Sequence, residues 1–245
     1  MKKISSALIL CFMLFAVGAT AQKQFYFGLA GGGLSSVITN QNNYGLPFEM
    51  DYTVTFGGHG NVNAGFDFNK HLGLKLEIGF AKLGQKYEDN YQDTIYTRNI
   101  KLNYLQIPLL FKFRTGGEVA QFYVAAGPQF NFLLSASQQY LKNEDTWNDS
   151  IPGNWTTPVL IGESTITDRY NSFDVMVRLD FGVDINLTDN LFITAGIATG
   201  YGLMDINAEA YRNPFNDPTY EYNPSHNLYG ALNVGISYRL PLGGK

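Results

Sequence analysis

Residues 173–187 read FDVMVRLDFGVDINL. Phe173, Val175, Val177, Leu179, Phe181, Val183, Ile185 and Leu187 are apolar, and between them stand Asp174, Met176, Arg178, Asp180, Gly182, Asp184 and Asn186. Alternation with period two is the signature of a strand, and fifteen residues is long for a globular one. One face is apolar; the other carries three aspartates and an arginine. Fold and function both turn on what the apolar face touches: a protein core, a bound ligand or lipid.

The same alternation recurs along the chain. It runs through 25–33, 54–68, 72–83, 105–113, 122–134, 191–203 and 228–240, which with 173–187 predicts eight strands and no helix. Ile100 and Leu102 lie on the opposite parity to the apolar residues from Leu105 onward, so the sequence predicts a slip near Asn103–Tyr104, absorbed by a bulge. Pro108 and Pro128 fall inside strands, where each removes a ladder donor and marks an irregularity. Three connections are short, at 69–71, 114–120 and 188–190; four are long, at 37–53, 84–99, 136–172 and 205–227. Short and long alternate strictly, which puts all short turns at one end of an up-and-down sheet and all long loops at the other.

Three arrangements bury such faces: a sandwich of two sheets, a ligand barrel with its apolar face inward, and a membrane barrel with it outward. The two soluble arrangements call for a hydrated outer face. Here the second face is dense in Gly, Ala and Asn with a few charges of both signs, which suits the narrow interior of an eight-stranded barrel. The residues expected to neutralise one another there are Lys75, Glu77, Lys112, Asp174, Arg178, Asp180, Asp184 and Arg239. Phe25, Phe66, Phe68, Phe113, Phe122, Tyr201 and Tyr238, near strand ends, suit aromatic girdles. The fold class expected is therefore all-β: an eight-stranded antiparallel up-and-down transmembrane β-barrel with short periplasmic turns and long extracellular loops. A ten-stranded ring, with an added hairpin from the third long loop, is the alternative.

The first residues, MKKISSALILCFMLFAVGATAQ, have a basic start at Lys2 and Lys3, an apolar run from Ile9 to Val17 and the small-x-small triplet Ala19-Thr20-Ala21. This reads as a signal peptide over residues 1–21, with the barrel domain over 22–245. Cys11, the single cysteine, falls in the leader, so the mature chain has no disulfide framework. Loss of Lys2 and Lys3 leaves 15 bases against 21 acids and moves the formal charge from −4 to −6, which argues against nucleic acid as a partner.

The stretch Tyr104-Leu105-Gln106-Ile107-Pro108-Leu109-Leu110-Phe111-Lys112 resembles, together with Ala125-Ala126-Gly127-Pro128, Asp180-Phe181-Gly182 and the final strand 233–240, the outer-membrane β-barrel domain family of Bacteroidota, the PorT-like "porin family" proteins. The final strand is similar to the signal that the outer-membrane assembly machinery reads, although Pro241 to Lys245 follow it and Leu240 replaces the usual aromatic. The resemblance implies an outer-membrane location, with lipid and that machinery as partners. The family is functionally mixed: some members resemble components of type IX secretion, so a further envelope partner, of unknown identity, is an expectation it carries.

For chemistry, His59 is expected in the interior, His71 in a periplasmic turn and His226 after Ser225 in the last outer loop. Adjacency of Ser225 and His226 does not make a catalytic pair, and the sequence predicts no catalytic residue, cofactor or metal site. The third long loop carries both tryptophans, Trp147 and Trp155, as candidate binding anchors. Asp93-Thr94-Ile95 and Asp149-Ser150-Ile151 resemble the Asp-Ser/Thr-aliphatic acceptor of Bacteroidota O-glycosylation, which makes Thr94 and Ser150 candidate sites. The leading expectation is a non-enzymatic barrel acting through its outer loops or as a membrane subunit; narrow-pore transport and a type IX role are the alternatives.

Overall fold

The computed structural model describes residues 23–40, 51–91, 94–146, 155–213 and 221–241. The expected leader, residues 1–21, lies outside them. Among the described residues ten strands are formed: β1 Gln24–Thr39, β2 Asp51–Thr53, β3 Thr55–Asp67, β4 Leu72–Tyr91, β5 Thr94–Arg114, β6 Ala120–Thr146, β7 Trp155–Thr165, β8 Phe173–Asn186, β9 Leu191–Gly202 and β10 His226–Pro241. Eight of them close a ring in the order β1-β3-β4-β5-β6-β8-β9-β10, every pairing antiparallel and β10 returning to β1. Closure leaves the ring no free edge.

The other two strands stand outside the ring. β2 lies against the upper end of β4, Thr53 opposite Lys86. β7 pairs with the upper half of β6, from Ser137↔Thr165 to Thr146↔Trp155. The third long connection thus does form a hairpin, but among the described residues β7 pairs with β6 alone, and the ring remains eight-stranded. Much of what the sequence suggested as loop at 84–99 and 136–172 is strand. β4 and β5 continue paired to Tyr91↔Thr94, and β5 and β6 to Tyr96↔Lys142. Backbone pairing continues where side-chain alternation weakens, because beyond the bilayer no lipid sorts one face from the other.

The expected slip in the fifth strand is corrected. Ile100, Leu102, Tyr104, Gln106, Leu110, Lys112 and Arg114 are all buried, so a single face of β5 points inward over its whole length. The interior itself changes from polar to apolar at Tyr104. The register shift next to Asn103/Tyr104 lies in β6, where Tyr104 faces Leu133 and Asn103 faces Ser135, leaving Leu134 as the extra residue. Pro108 and Pro128 interrupt the ladder without moving it: Leu76↔Leu109 and Gly79↔Gln106 keep one register, as do Pro108↔Gln129 and Phe111↔Ala126.

Outside, the exposed side chains include Leu29, Val62, Ile78, Phe80, Phe111, Phe122, Val124, Phe181, Ile197, Leu232 and Val234, drawn from every strand of the ring. A water-soluble surface rarely carries a contiguous apolar patch beyond a few hundred Å². A belt running round a whole barrel has hydrocarbon as its solvent. Near the short turns, rings gather: Phe66 and Phe68 at 5.3 Å, Phe68 and Phe111 at 6.4 Å, Phe27 and Tyr238 at 6.0 Å. The 173–187 stretch is the wall of this barrel, with Asp174, Met176, Arg178, Asp180 and Asp184 buried and Val177, Phe181, Ile185 and Leu187 exposed.

Candidate functional site: the filled lumen and the outer cap

Period two forces every second side chain of eight strands into an interior that has room for side chains and little else. Nearest the short turns, Lys112 Nζ meets Asp184 Oδ2 at 2.5 Å, and Thr194 Oγ1 donates to Asp184 Oδ1 at 2.8 Å. The same ammonium lies 4.3 Å from the centre of the Tyr123 ring. Arg114 pairs with Asp67, and Arg239 stacks on Phe192 at 4.1 Å while Nη1 donates to Asn186 Oδ1 at 2.7 Å. One layer up, Arg178 makes a two-point contact with Asp180 (Nε–Oδ1 2.7 Å, Nη2–Oδ2 2.9 Å) and reaches Glu77 Oε2 at 3.0 Å; Glu77 also pairs with Lys75. Gln129 Oε1 accepts from Tyr229 OH at 2.8 Å in the same layer. Asp174 follows, reached by Asn227 Nδ2, which also donates to Tyr104 OH at 3.2 Å.

Among the described residues these layers set five buried bases, Lys75, Lys112, Arg114, Arg178 and Arg239, against five buried acids, Asp67, Glu77, Asp174, Asp180 and Asp184. Formal neutrality is what makes their burial tolerable, since an unpaired buried charge costs several kcal/mol, to an order of magnitude. Sequence reading places eight of these ten inside. Asp67 stands on the polar parity of 54–68 in the sequence but at a strand end, outside the charge network expected there; Arg114 falls in the expected 114–120 turn, and parity with Leu110 and Lys112 is the signal that locates it inside.

Above the ion-pair layers the interior turns mainly apolar, with a buried guanidinium, Arg98, donating to Gln138 Oε1 at 2.7 Å and lying 5.6 Å from the centre of the Tyr87 ring. Leu34, Ile38, Leu83, Tyr87, Ile100, Leu102, Tyr104 and Met176 form a buried cluster, joined from the loops by Ile166, Tyr170 and Ile206. Those last three belong to a cap. Tyr170 bridges to Asn207, Asn171 N donates to Ile206 O at 2.7 Å, and Ile206 N donates to Ser225 O at 2.9 Å. Asp205 is the hub: its carboxylate accepts from Tyr222 OH at 2.8 Å and from Ser225 N and Asn207 N at 3.1 Å each, and pairs with Arg212 at 2.9 Å. Burial pushes the Tyr222 phenol above its ordinary value, and the Asp205 carboxylate beside it acts in the same direction, so the phenol stays protonated and donates. An Asp205→Ala variant is expected to lose about 2 kcal/mol of cap stability, the scale of hydrogen bonds to a charged group. Limited proteolysis of the variant in proteoliposomes should cleave the 203–225 segment faster while the barrel keeps its melting temperature.

The three histidines are structural in their contacts. His59 Nε2 lies 3.0 Å from Leu232 O, His71 Nδ1 3.0 Å from Arg114 O, and His226 Nδ1 3.0 Å from Met204 O. Ser225 and His226 are not brought together: Ser225 Oγ is buried against Asn40 O and Asn207 Nδ2, while His226 lies beside the Tyr201 ring. Among the described residues no group of three or more His, Cys, Asp and Glu could hold a metal ion. Thr94 opens β5 and is half-buried; Ser150 and Trp147 lie outside the described residues, and Trp155 starts β7 opposite Thr146.

Residues 20–208 match the family described as outer membrane protein beta-barrel domain. No curated protein sequence matches the chain. Among solved structures, the chain is similar to a major outer membrane protein from Thermus thermophilus, at 14% identity over 89% of this chain and 99% of that one, with a TM-score of 0.44. OprG from Pseudomonas aeruginosa matches at 13% identity over 91% and 98%, and neisserial surface protein A at 12% over 87% and 96%, each with a TM-score of 0.42. The family match covers most of the chain, and the chain belongs to the outer membrane protein β-barrel domain family.

Proposed function

We propose that this outer-membrane barrel is non-enzymatic and acts outside its lumen, through the extracellular sheet and cap, by binding there or as the membrane subunit of an envelope assembly. The observation that supports this reading is the filled interior. Ion pairs close it below and an apolar cluster closes it above, while β4, β5, β6 and β7 carry an ordered surface beyond the ring. Trp147, Trp155 and the cap then become the places to look for a bound partner, and Thr94 and Ser150 the places to look for attached sugar.

The test pairs conductance with co-purification. The folded barrel in a planar bilayer is expected to give no ion-conducting steps, and cross-linked pull-down from native outer membranes is expected to bring a stoichiometric partner. Discrete conductance would favour narrow-pore transport and sink the reading. The resemblance of Tyr104 to Lys112 and of the last strand to PorT-like proteins favours, as the second reading, a role of this chain as a type IX secretion component, and the mass spectrum of the pull-down tests it. Export by a leader cut after Ala21 belongs to the same proposal; N-terminal sequencing of the mature protein should begin at Gln22.

A further inference from the structure

The outer wall carries two adjoining grooves. β3 and β4 pair up to His59↔Ala81, and β2 resumes against β4 at Thr53↔Lys86. Between these points the wall opens into a groove of about 740 Å³, lined among others by Val54, Phe56, Lys82, Lys86, Lys101 and Asn103. No acidic residue lines it. Lys82 is exposed and lies two residues beyond Phe80, the last exposed apolar side chain on the outward face of β4, so its ammonium sits at the outer edge of the apolar belt. Lys101, opposite Gly84, stands above it and donates to Gln139 Oε1; Lys86 pairs with Glu88. Among the described residues, Lys86 is the single lysine of the three with an ion pair, so the groove keeps net positive charge.

A second groove, of about 480 Å³, begins on the other side of Phe56 and is lined by Gly33, Ile197, Gly230 and Leu232. A Cβ built at Gly33 or at Gly230 would meet no atom within 4 Å. These glycines thus keep a trough open in the apolar wall that ordinary side chains would fill. Phe56, 82% exposed, is the ridge between the basic groove and the apolar one.

We infer that this pair of grooves binds a phosphate-bearing lipid of the outer leaflet, the phosphate on Lys82 and Lys101 and an acyl chain across Phe56 in the glycine trough. Basic side chains at a membrane surface attract anionic headgroups individually weakly and collectively well. A free anion would use the lysines alone; the adjoining trough is what selects an amphiphile.

The experiment is native mass spectrometry of the refolded barrel released from micelles holding phosphatidic acid and phosphatidylcholine with the same acyl chains, with inorganic phosphate as a separate competitor. The wild type should retain phosphatidic acid over phosphatidylcholine by about twenty-five-fold, from two lysines each contributing on the order of fivefold. Lys82→Gln with Lys101→Gln should abolish the preference, and Lys82→Arg with Lys101→Arg should restore it, which separates charge from folding. Gly33→Leu with Gly230→Leu, which fills the trough, should lower retention of both lipids. A wild type with no preference, or a preference that survives in the glutamine pair, overturns the inference. Full competition by inorganic phosphate, with the leucine pair unaffected, overturns the lipid and leaves a free-anion site.

Discussion

Arg178→Met is expected to cost about 3–5 kcal/mol of barrel stability, the cost of breaking a buried ion pair by removing one partner. The guanidinium holds Asp180 with two bonds and Glu77 with a third, and all three side chains are almost fully buried. Without it Glu77 keeps Lys75, but Asp180 stands in the lumen with no cation. Pairing the change with Asp180→Asn should recover much of the loss, because neutralising both members of a buried pair is often tolerated. Urea titration in liposomes, read by the mobility shift of the folded barrel on a gel, measures both variants. A double-mutant cycle with no coupling between positions 178 and 180 would contradict the layer of ion pairs.

One residue further on, Leu179→Arg is expected to destabilise by about 2–4 kcal/mol in a bilayer, the scale for a basic side chain at mid-membrane on the lipid face. Leu179 sits on the outward face of β8, opposite Ala126 on one side and Thr199 on the other, between the exposed Val177 and Phe181. The same liposome titration measures it. The penalty should shrink in detergent micelles, where the shell deforms more easily around a charge, and an unchanged midpoint in liposomes would reverse the assignment of faces. Neighbouring positions thus have opposite requirements: arginine is needed at 178 and excluded at 179.

That contrast is also the measure of what can be read in the chain. The alternation from Phe173 to Leu187 is enough for the barrel, because period two assigns faces and the polar face is too poor in hydrated charge for a soluble surface. It does not say what fills the inside at each height. Ile100, Leu102 and Tyr104 read as a slipped register if an apolar residue must lie outside; they point inward at the level where the interior becomes apolar. The strand extensions are illegible for a related reason: Tyr87 to Tyr91 and Ser137 to Thr146 pair through their backbones above the belt. The cap is beyond any local pattern, because Asp205 gathers Asn207, Arg212, Tyr222 and Ser225 through contacts made only after the chain has folded.

The change of partner along β6 has a mechanical meaning. Its lower half is riveted to β8 and its upper half to β7, and the exchange occurs within the few residues between Phe132↔Phe173 and Ser137↔Thr165, just above the extra residue Leu134. The seam is a fork in the wall. A load drawing β7 sideways from β6 would open their ladder one bond pair at a time, as a zipper opens, and then meet at the fork a closed hoop that can yield only by shearing several rows together. A load carried by β7 alone therefore stops at the fork beside Leu134, and the hoop in the membrane holds its shape while β7 gives.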